Sequence, residues 1–396
     1  MVFPALRYRQ VGTGLTSTKS ATTEATAAPT AEVDVSKAKA DNAKKSLRIH
    51  RRLLLSDDEQ EEEIMVAKLR IATFNLENLD DEAGEGLFSL QQRIDVMRPQ
   101  LVRLQADILC LQEVHSQEDG GERTLSALEQ LLEETPYANY QRATTHVEGG
   151  SQFYAERNLV ILSRHAIREY HQYKHDYAPP PAYRLVTAEP PENQAENLTW
   201  ERPILHAEIE LPDGGTLNVL NLHLKSKLPS NVPGQKKDPY TWKSASGWAE
   251  GFFLSSMMRV GQALETRMLI DRIFDEDEGA LIVACGDFNA DLDDVPVQAI
   301  RGDVESTGNG ELAWRVMVPC ENSVPESARY SLLYLGKGEM IDHVLMSRSL
   351  LGHYRHSEVH NELLHDESIA FATDVKYPES DHAPVVGEFE LPTNSS

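Results

Sequence analysis

Six separated segments of this chain each set a carboxylate, an amide or a histidine beside a short apolar stretch, and that repetition constrains the fold more than any other feature. Ala284-Cys-Gly-Asp-Phe-Asn-Ala290 closes an apolar run, Ala280 to Cys285, and places Asp287 and Asn289 two residues apart. Residues i and i+2 of a strand point to one side of its sheet. The pair is therefore expected to offer a carboxylate and an amide to one ligand at a sheet rim, which suits a metal-bound phosphate. Leu69 to Phe74 ends in Asn75-Leu-Glu77, and Asp107 to Leu111 leads into Gln112-Glu113. Thr216 to Leu222 hands over to His223, followed by Lys225 and Lys227. Met340 to Met346 carries Asp342, and Ser380-Asp-His382 precedes a last strand, Ala383 to Leu391. One Asp or Asn after a strand is usually a turn former. Six such endings are expected to meet at one site.

Helical stretches alternate with these strands. Leu90, Ile94, Met97, Leu101 and Leu104 recur at helical spacing, marking an amphipathic helix or a helix pair, with Pro99 as the expected kink or restart. A second helix is predicted through Leu125, Leu128 and Leu132. A third contains Met257, Val260, Leu264 and Met268, whose apolar face is expected on a sheet. Two strands, Ile204 to Leu211 and Thr216 to Leu222, flank Pro212-Asp-Gly-Gly215, a hairpin signal that aims His223 at the cleft. The Pro-rich stretch from Ala178 to Pro191 reads as a long surface loop, a place for substrate specificity.

Composition narrows the classes. No apolar stretch approaches the ~18 residues that a transmembrane helix needs. Three cysteines, Cys110, Cys285 and Cys320, form no CxxC or Cys/His spacing, so neither zinc nor a disulfide framework is expected. The formal net charge is −25, from 63 acidic against 38 basic residues. Such a chain is not a tight non-specific nucleic-acid binder as a whole, because that binding rests on clustered Lys and Arg. A locally basic cleft and a bound cation can still grip a phosphodiester. Lys225, Lys227, Lys236, Lys237 and Lys243, interleaved with Tyr240 and Trp242, form the basic segment, which reads equally as a solvated loop or a substrate-gripping one.

Residues 1–66 differ from the rest. Rich in Ala, Thr, Ser and Lys and without periodicity, they cannot bury enough surface to offset chain entropy, and a disordered extension is expected, followed by a domain over 67–396. The first 23 residues lack acids and include Arg7, Arg9 and Lys19, a composition that fits an organelle transit peptide, though a plain flexible extension is the preferred reading. The compartment and the oligomeric state are not encoded in any recognisable signal.

The motifs at Asn75, Glu113, His223, Asp287, Asp342 and His382 together resemble the endonuclease/exonuclease/phosphatase superfamily over about residues 67–391. Phe74-Asn-Leu-Glu-Asn78, His223-Leu-Lys-Ser-Lys227 and Ile341-Asp-His-Val344 are most similar to its bacterial nuclease-like branch, which includes secreted exonucleases. Arg51-Arg-Leu-Leu54, followed by an acidic run, also resembles the translocation motif of oomycete effectors, an export reading of the tail. The superfamily resemblance implies an α+β, DNase I-like four-layer α/β/β/α sandwich, two mixed sheets face to face with helices outside. It implies a Mg²⁺- or Mn²⁺-dependent phosphoesterase whose partner is a nucleic acid or another phosphodiester. Hard oxygen ligands suit such ions; Glu113, with Asn75 and Glu77 nearby, offers them, and the resemblance adds Asp381. His382 is the expected proton acceptor, oriented by Asp342. Asp287 and Asn289 are to position the water and a phosphate oxygen, while the resemblance assigns leaving-group protonation to His223. Asn158 and Arg202 match phosphate-contacting positions of the family, and Lys225 is a further substrate contact. Glu77 stands where abasic-site endonucleases carry Asp, and Cys285 where inositol phosphatases carry Trp, which weakens both assignments. A phospholipid or small-phosphoester enzyme is the alternative reading, and a non-catalytic scaffold the remote one.

Overall fold

In the computed structural model the described residues are 66–81, 88–372 and 376–393. The tail and its targeting motifs lie outside them, apart from Val66, which already begins the first strand.

Twelve strands form two six-stranded sheets. They are β1 (Val66–Leu79), β2 (Ile108–Val114), β3 (Gln141–Thr144), β4 (Asn158–Ser163), β5 (Ile167–Tyr173), β6 (Ile204–Glu210), β7 (Thr216–His223), β8 (Leu281–Asp287), β9 (Met317–Pro319), β10 (Asp342–Ser347), β11 (Tyr354–Val359) and β12 (Val385–Pro392). The order is β11-β12-β1-β2-β4-β3 in one sheet and β9-β10-β8-β7-β6-β5 in the other. Each sheet is mixed: β1 and β2 run parallel at the centre of one, β7 and β8 at the centre of the other. The four helices that matter here are α1 (Leu90–Leu104), α2 (Ser126–Leu132), α3 (Ala245–Glu276) and α4 (Val295–Arg301).

The chain's strand alternation explains the layering. Ile71, Ile108, Cys110 and Ile161 of the first sheet meet Leu205, Val219, Val283 and Val344 of the second in one buried cluster. Phe74, Leu109 and Leu111 face the other way, onto Ile94, Met97 and Leu101 of α1 and Leu128 of α2. Leu220, Ile282 and Ala284 likewise pack on Ala263, Ile270 and Phe274 of α3. The result is the helix–sheet–sheet–helix sandwich, at roughly 1.5–3 kcal/mol per large side chain buried.

The helices decide one alternative and correct one expectation. Pro99 does not end α1, which runs unbroken from a Ser89/Gln92 capping box to Gln105. Five apolar side chains on both sides of the proline are buried, and their burial outweighs its cost of about 3 kcal/mol. In α3 the stripe ending in Leu264 and Met268 does not lie on the sheet, for those two are 50% and 41% exposed. The buried face instead mixes apolar residues with Ser255, Arg259, Gln262 and Thr266. Those polar groups hold a neighbouring loop: Arg259 donates to the carbonyls of Lys225 and Ser226, and Ser255 to that of Leu228. Hydrophobic periodicity misses a helix face whose task is to bind backbone.

Candidate active site

The C-terminal ends of the two central parallel pairs lie at the same rim. Across β7, β8 and β10 the register sets His223 opposite Asp287 and Asp287 opposite Asp342. Across β1 and β2 it sets Asn75 opposite Gln112, one residue before Glu113. The two sheets are joined there by Asn75 Nδ2, which donates to Asp287 Oδ2 at 3.1 Å. His223 Nε2 lies 3.2 Å from Asp287 Oδ2 and 3.5 Å from Glu113 Oε1. The segments that the sequence separates by more than 200 residues therefore touch.

Asp287 and Asn289 do meet, but not by strand alternation. The strand β8 stops at Asp287, and Asn289 has a left-handed backbone with φ 49°. A turn folds it back, so that its N–H donates to Asp287 Oδ1 at 2.8 Å and its Nδ2 to Oδ2 at 2.9 Å. Asn tolerates that backbone better than most residues. Burial alone would raise the Asp287 carboxyl; nearby His382 and His223, with these donors, hold it well below the usual range.

His382 Nδ1 sits 2.7 Å from Asp342 Oδ2. Asp342 is itself fully buried and pinned by Ser331 Oγ, which accepts from the Ile341 and Asp342 N–H groups. Burial would lower the His382 imidazole, yet the carboxylates of Asp342, Asp381 and Asp287 push it well above its ordinary value. Burial also raises Asp342 and Asp381.

A negative cluster faces this histidine. Glu77 Oε2 accepts from the Asp381 N–H at 3.2 Å, and burial, with Asp381 beside it, pushes the Glu77 carboxyl up to about 8. Glu113 Oε2 accepts from Asn78 N–H at 3.0 Å, and His223 and Arg202 outweigh burial to keep this carboxyl low. Asp381 Oδ1 and Asp342 Oδ1 are buried and have no hydrogen-bond partner. Crowded carboxylates with orphaned oxygens fit a hard divalent cation, which Glu113, Asp381 and Glu77 would hold with Asn75 beside them. The atoms of Asp287, Asp342 and His382 also lie within 4.8 Å of one another. A 2.7 Å contact between His382 Nδ1 and Asp342 Oδ2 requires a proton between them, so that nitrogen is not free to bind an ion.

Arg202 is 7% exposed, with its Nη1 buried and unpartnered near Glu113, a guanidinium free to take an anionic oxygen. Lys225 Nζ lies 3.7 Å from Glu201 Oε1. Asn158 differs from the other predicted contacts: its amide bonds Val114 O, Tyr154 O and Tyr154 N, so it props the start of β4 and has no group left for phosphate. Sequence reasoning missed the supports. Gln262 of α3 reaches Lys225 N–H at 2.7 Å and the carbonyls of Arg202 and His223. Ser380 donates to Asn75 O at 2.8 Å and accepts from His382 N–H. A serine directly before Asp-His was the one available signal.

Face-to-face mixed sheets with carboxylates, amides and two histidines gathered at one rim define a DNase I-like phosphoric ester hydrolase. The chain belongs to the Endonuclease/Exonuclease/phosphatase family, whose model matches residues 72–382. A solved family protein from Bacteroides thetaiotaomicron is 17% identical, with 83% of this chain and 96% of that one covered and a TM-score of 0.50. The 3′ phosphatase NExo from Neisseria, bound to a product DNA hairpin, is 19% identical, covering 82% and 100%, at a TM-score of 0.44. A mannosyl-6-phosphatase from Bacteroides thetaiotaomicron is 16% identical, covering 82% and 99%, at 0.47. At 17% identity the likeness to the first of these shows the fold alone. No curated protein matches the sequence.

Proposed function

We propose that this protein is a Mg²⁺- or Mn²⁺-dependent phosphodiesterase acting on DNA or RNA, formed by residues 67–396 behind an N-terminal extension. The observation that carries the reaction is the pairing of His382 with buried Asp342, facing Asp287 and His223 across one cleft. Asp342 fixes the imidazole through Nδ1, so Nε2 faces the cleft and exchanges a proton with the attacking water. Ionised Asp287 and the Asn289 amide orient that water and a phosphoryl oxygen. Arg202, with its free Nη1, holds a second oxygen, and His223 donates to the leaving oxygen. Held by Glu113, Asp381 and Glu77, a divalent cation would supply positive charge to the phosphoryl oxygens and, by neutralising those carboxylates, would weaken the field that keeps His382 protonated.

Nucleic acid is favoured by the likeness of the 74–78, 223–227 and 341–344 motifs to nuclease-like members and by the lysine segment beside His223. One observation supports a phospholipid or small phosphoester instead. Lys225, Lys227 and Lys243 face Glu201, Glu339 and Glu189, so three of the five lysines of the basic segment are paired with carboxylates. A substrate panel with Mg²⁺ and Mn²⁺ separates the readings: single- and double-stranded DNA, RNA, sphingomyelin, inositol phosphates and a generic bis-ester. EDTA should abolish the activity. Turnover of the lipid or inositol substrates without cleavage of DNA or RNA selects the alternative, and silence on all of them sinks the enzyme reading.

A further inference from the structure

The outer face of the second sheet carries a second group of metal-type ligands that the phosphoesterase site does not use. In the β5–β6 ladder His171 stands directly opposite His206, and Glu169 directly opposite Glu208. Directly opposed residues share a sheet face, and this face is the one that α3 covers. Together they border a recess of about 560 Å³, closed at one side by Asn218 of β7 and at another by the C-terminal end of α3.

His206 is 5% exposed, and its Nε2 lies 2.9 Å from Asn218 Oδ1. The Asn218 amide nitrogen is committed to Leu281 O at 3.4 Å. Its oxygen is therefore the acceptor, which puts the proton of His206 on Nε2 and leaves a lone pair on Nδ1. That Nδ1 is buried and has no partner. A neutral imidazole whose other nitrogen donates to an amide oxygen is the usual setting of a metal-ligating histidine, and burial lowers His206 toward the neutral form. Opposed like charges destabilise a ladder, and burial with Glu169 close by keeps the Glu208 carboxyl above its ordinary range. The one Arg or Lys that lines the recess, Arg272, is bonded to Glu276 at 3.3 Å. The helix C-terminus adds further negative potential.

We propose that this recess binds one divalent transition-metal ion of the Zn²⁺ class through His206 Nδ1, His171 and Glu169, at a site separate from the phosphoesterase centre. Imidazole with carboxylate selects such borderline ions over Mg²⁺. Asn218 lies five residues before His223 on β7, roughly 17 Å along the strand. Among the described residues only Asp287, Asp342 and His382 already hold their ligand atoms within 4.8 Å, so capture requires His171 and Glu169 to turn inward. Their side chains are 53% and 57% exposed, and exposed side chains change rotamer readily.

The full chain, stripped of metal, is titrated with Zn²⁺ in excess Mg²⁺ by calorimetry, and its thermal unfolding is followed with and without Zn²⁺. The wild type should bind one equivalent more than His171→Ala, and its Zn²⁺-induced rise in Tm should exceed that of this variant and of Glu169→Gln. Both positions lie on an edge strand, and circular dichroism checks that the variants fold. Zn²⁺ captured at the phosphoesterase site is retained equally by wild type and variants, so the difference still reads the recess. Equal stoichiometry and an equal rise in Tm for wild type and His171→Ala overturn the proposal.

Discussion

His382 is where burial and charge conflict most sharply, because a ring that is 90% hidden is surrounded by three carboxylates. Asp342 settles the ring's orientation, and through it the residue's chemistry. Asp342→Asn should lower kcat by about 10²- to 10⁴-fold, as should His382→Ala. The double variant should be little worse than the poorer single one, because the two act as a unit. Steady-state kinetics on the four proteins tests this, and multiplicative losses would break the couple apart. Asn75, Glu113, His223, Asp287, Asn289, Asp342 and His382 were legible in the sequence since each stands beside a short apolar run. Gln262 and Ser331 were not. A polar residue inside a helix or a loop carries no local mark of the carbonyl or N–H it will meet more than ten positions away.

At the scale of elements, the site depends on how closely β7 approaches β8. Gly286 stands opposite Leu222 with φ 139°, and a Cβ there would lie 1.9 Å from Leu222 O. Backbone of this kind is open only to glycine, and strain costs about 1–3 kcal/mol before any clash. Gly286→Ala should lower the urea midpoint and cut activity by at least about tenfold, through a shifted Asp287. A variant with wild-type kcat and midpoint would show that the strand pair yields without moving the site. Strand existence and the β6–β7 hairpin were readable from alternation and from Pro212-Asp-Gly-Gly215. The buried face of α3 was not, because apolar periodicity marks which side avoids water and is blind to a side chosen for its hydrogen bonds.

For the whole molecule, assembling the rim has an electrostatic cost. Glu77 has its carboxyl raised from 4.5 to about 8 in the fold. The folded protein therefore binds more protons than the unfolded chain between those values, and its stability falls as pH rises through that window. His382, raised as well, works in the same direction. Metal-free protein should accordingly lose Tm between about pH 5 and 8, and Mg²⁺ should restore more of it at pH 8 than at pH 5. Calorimetric scans at the two pH values, with and without Mg²⁺, measure it. A Tm that rises with pH in the metal-free protein would contradict the placement of these carboxyls.

The sequence by itself determined the local matter: which runs are strands, what chemistry stands at their ends, and that Asp287, His223 and His382 are groups suited to a phosphate ester. These are properties of a few neighbouring residues, and alternation and turn chemistry act over that range. Only the tertiary structure decided that His223, Asp287 and Asp342 form one row, that Asn75 ties the two sheets at that row, that Asn158 serves the backbone, and that His171 meets His206. Register between strands tens to hundreds of residues apart is chosen by the packing of two sheet faces against each other, a through-space quantity that no single segment contains.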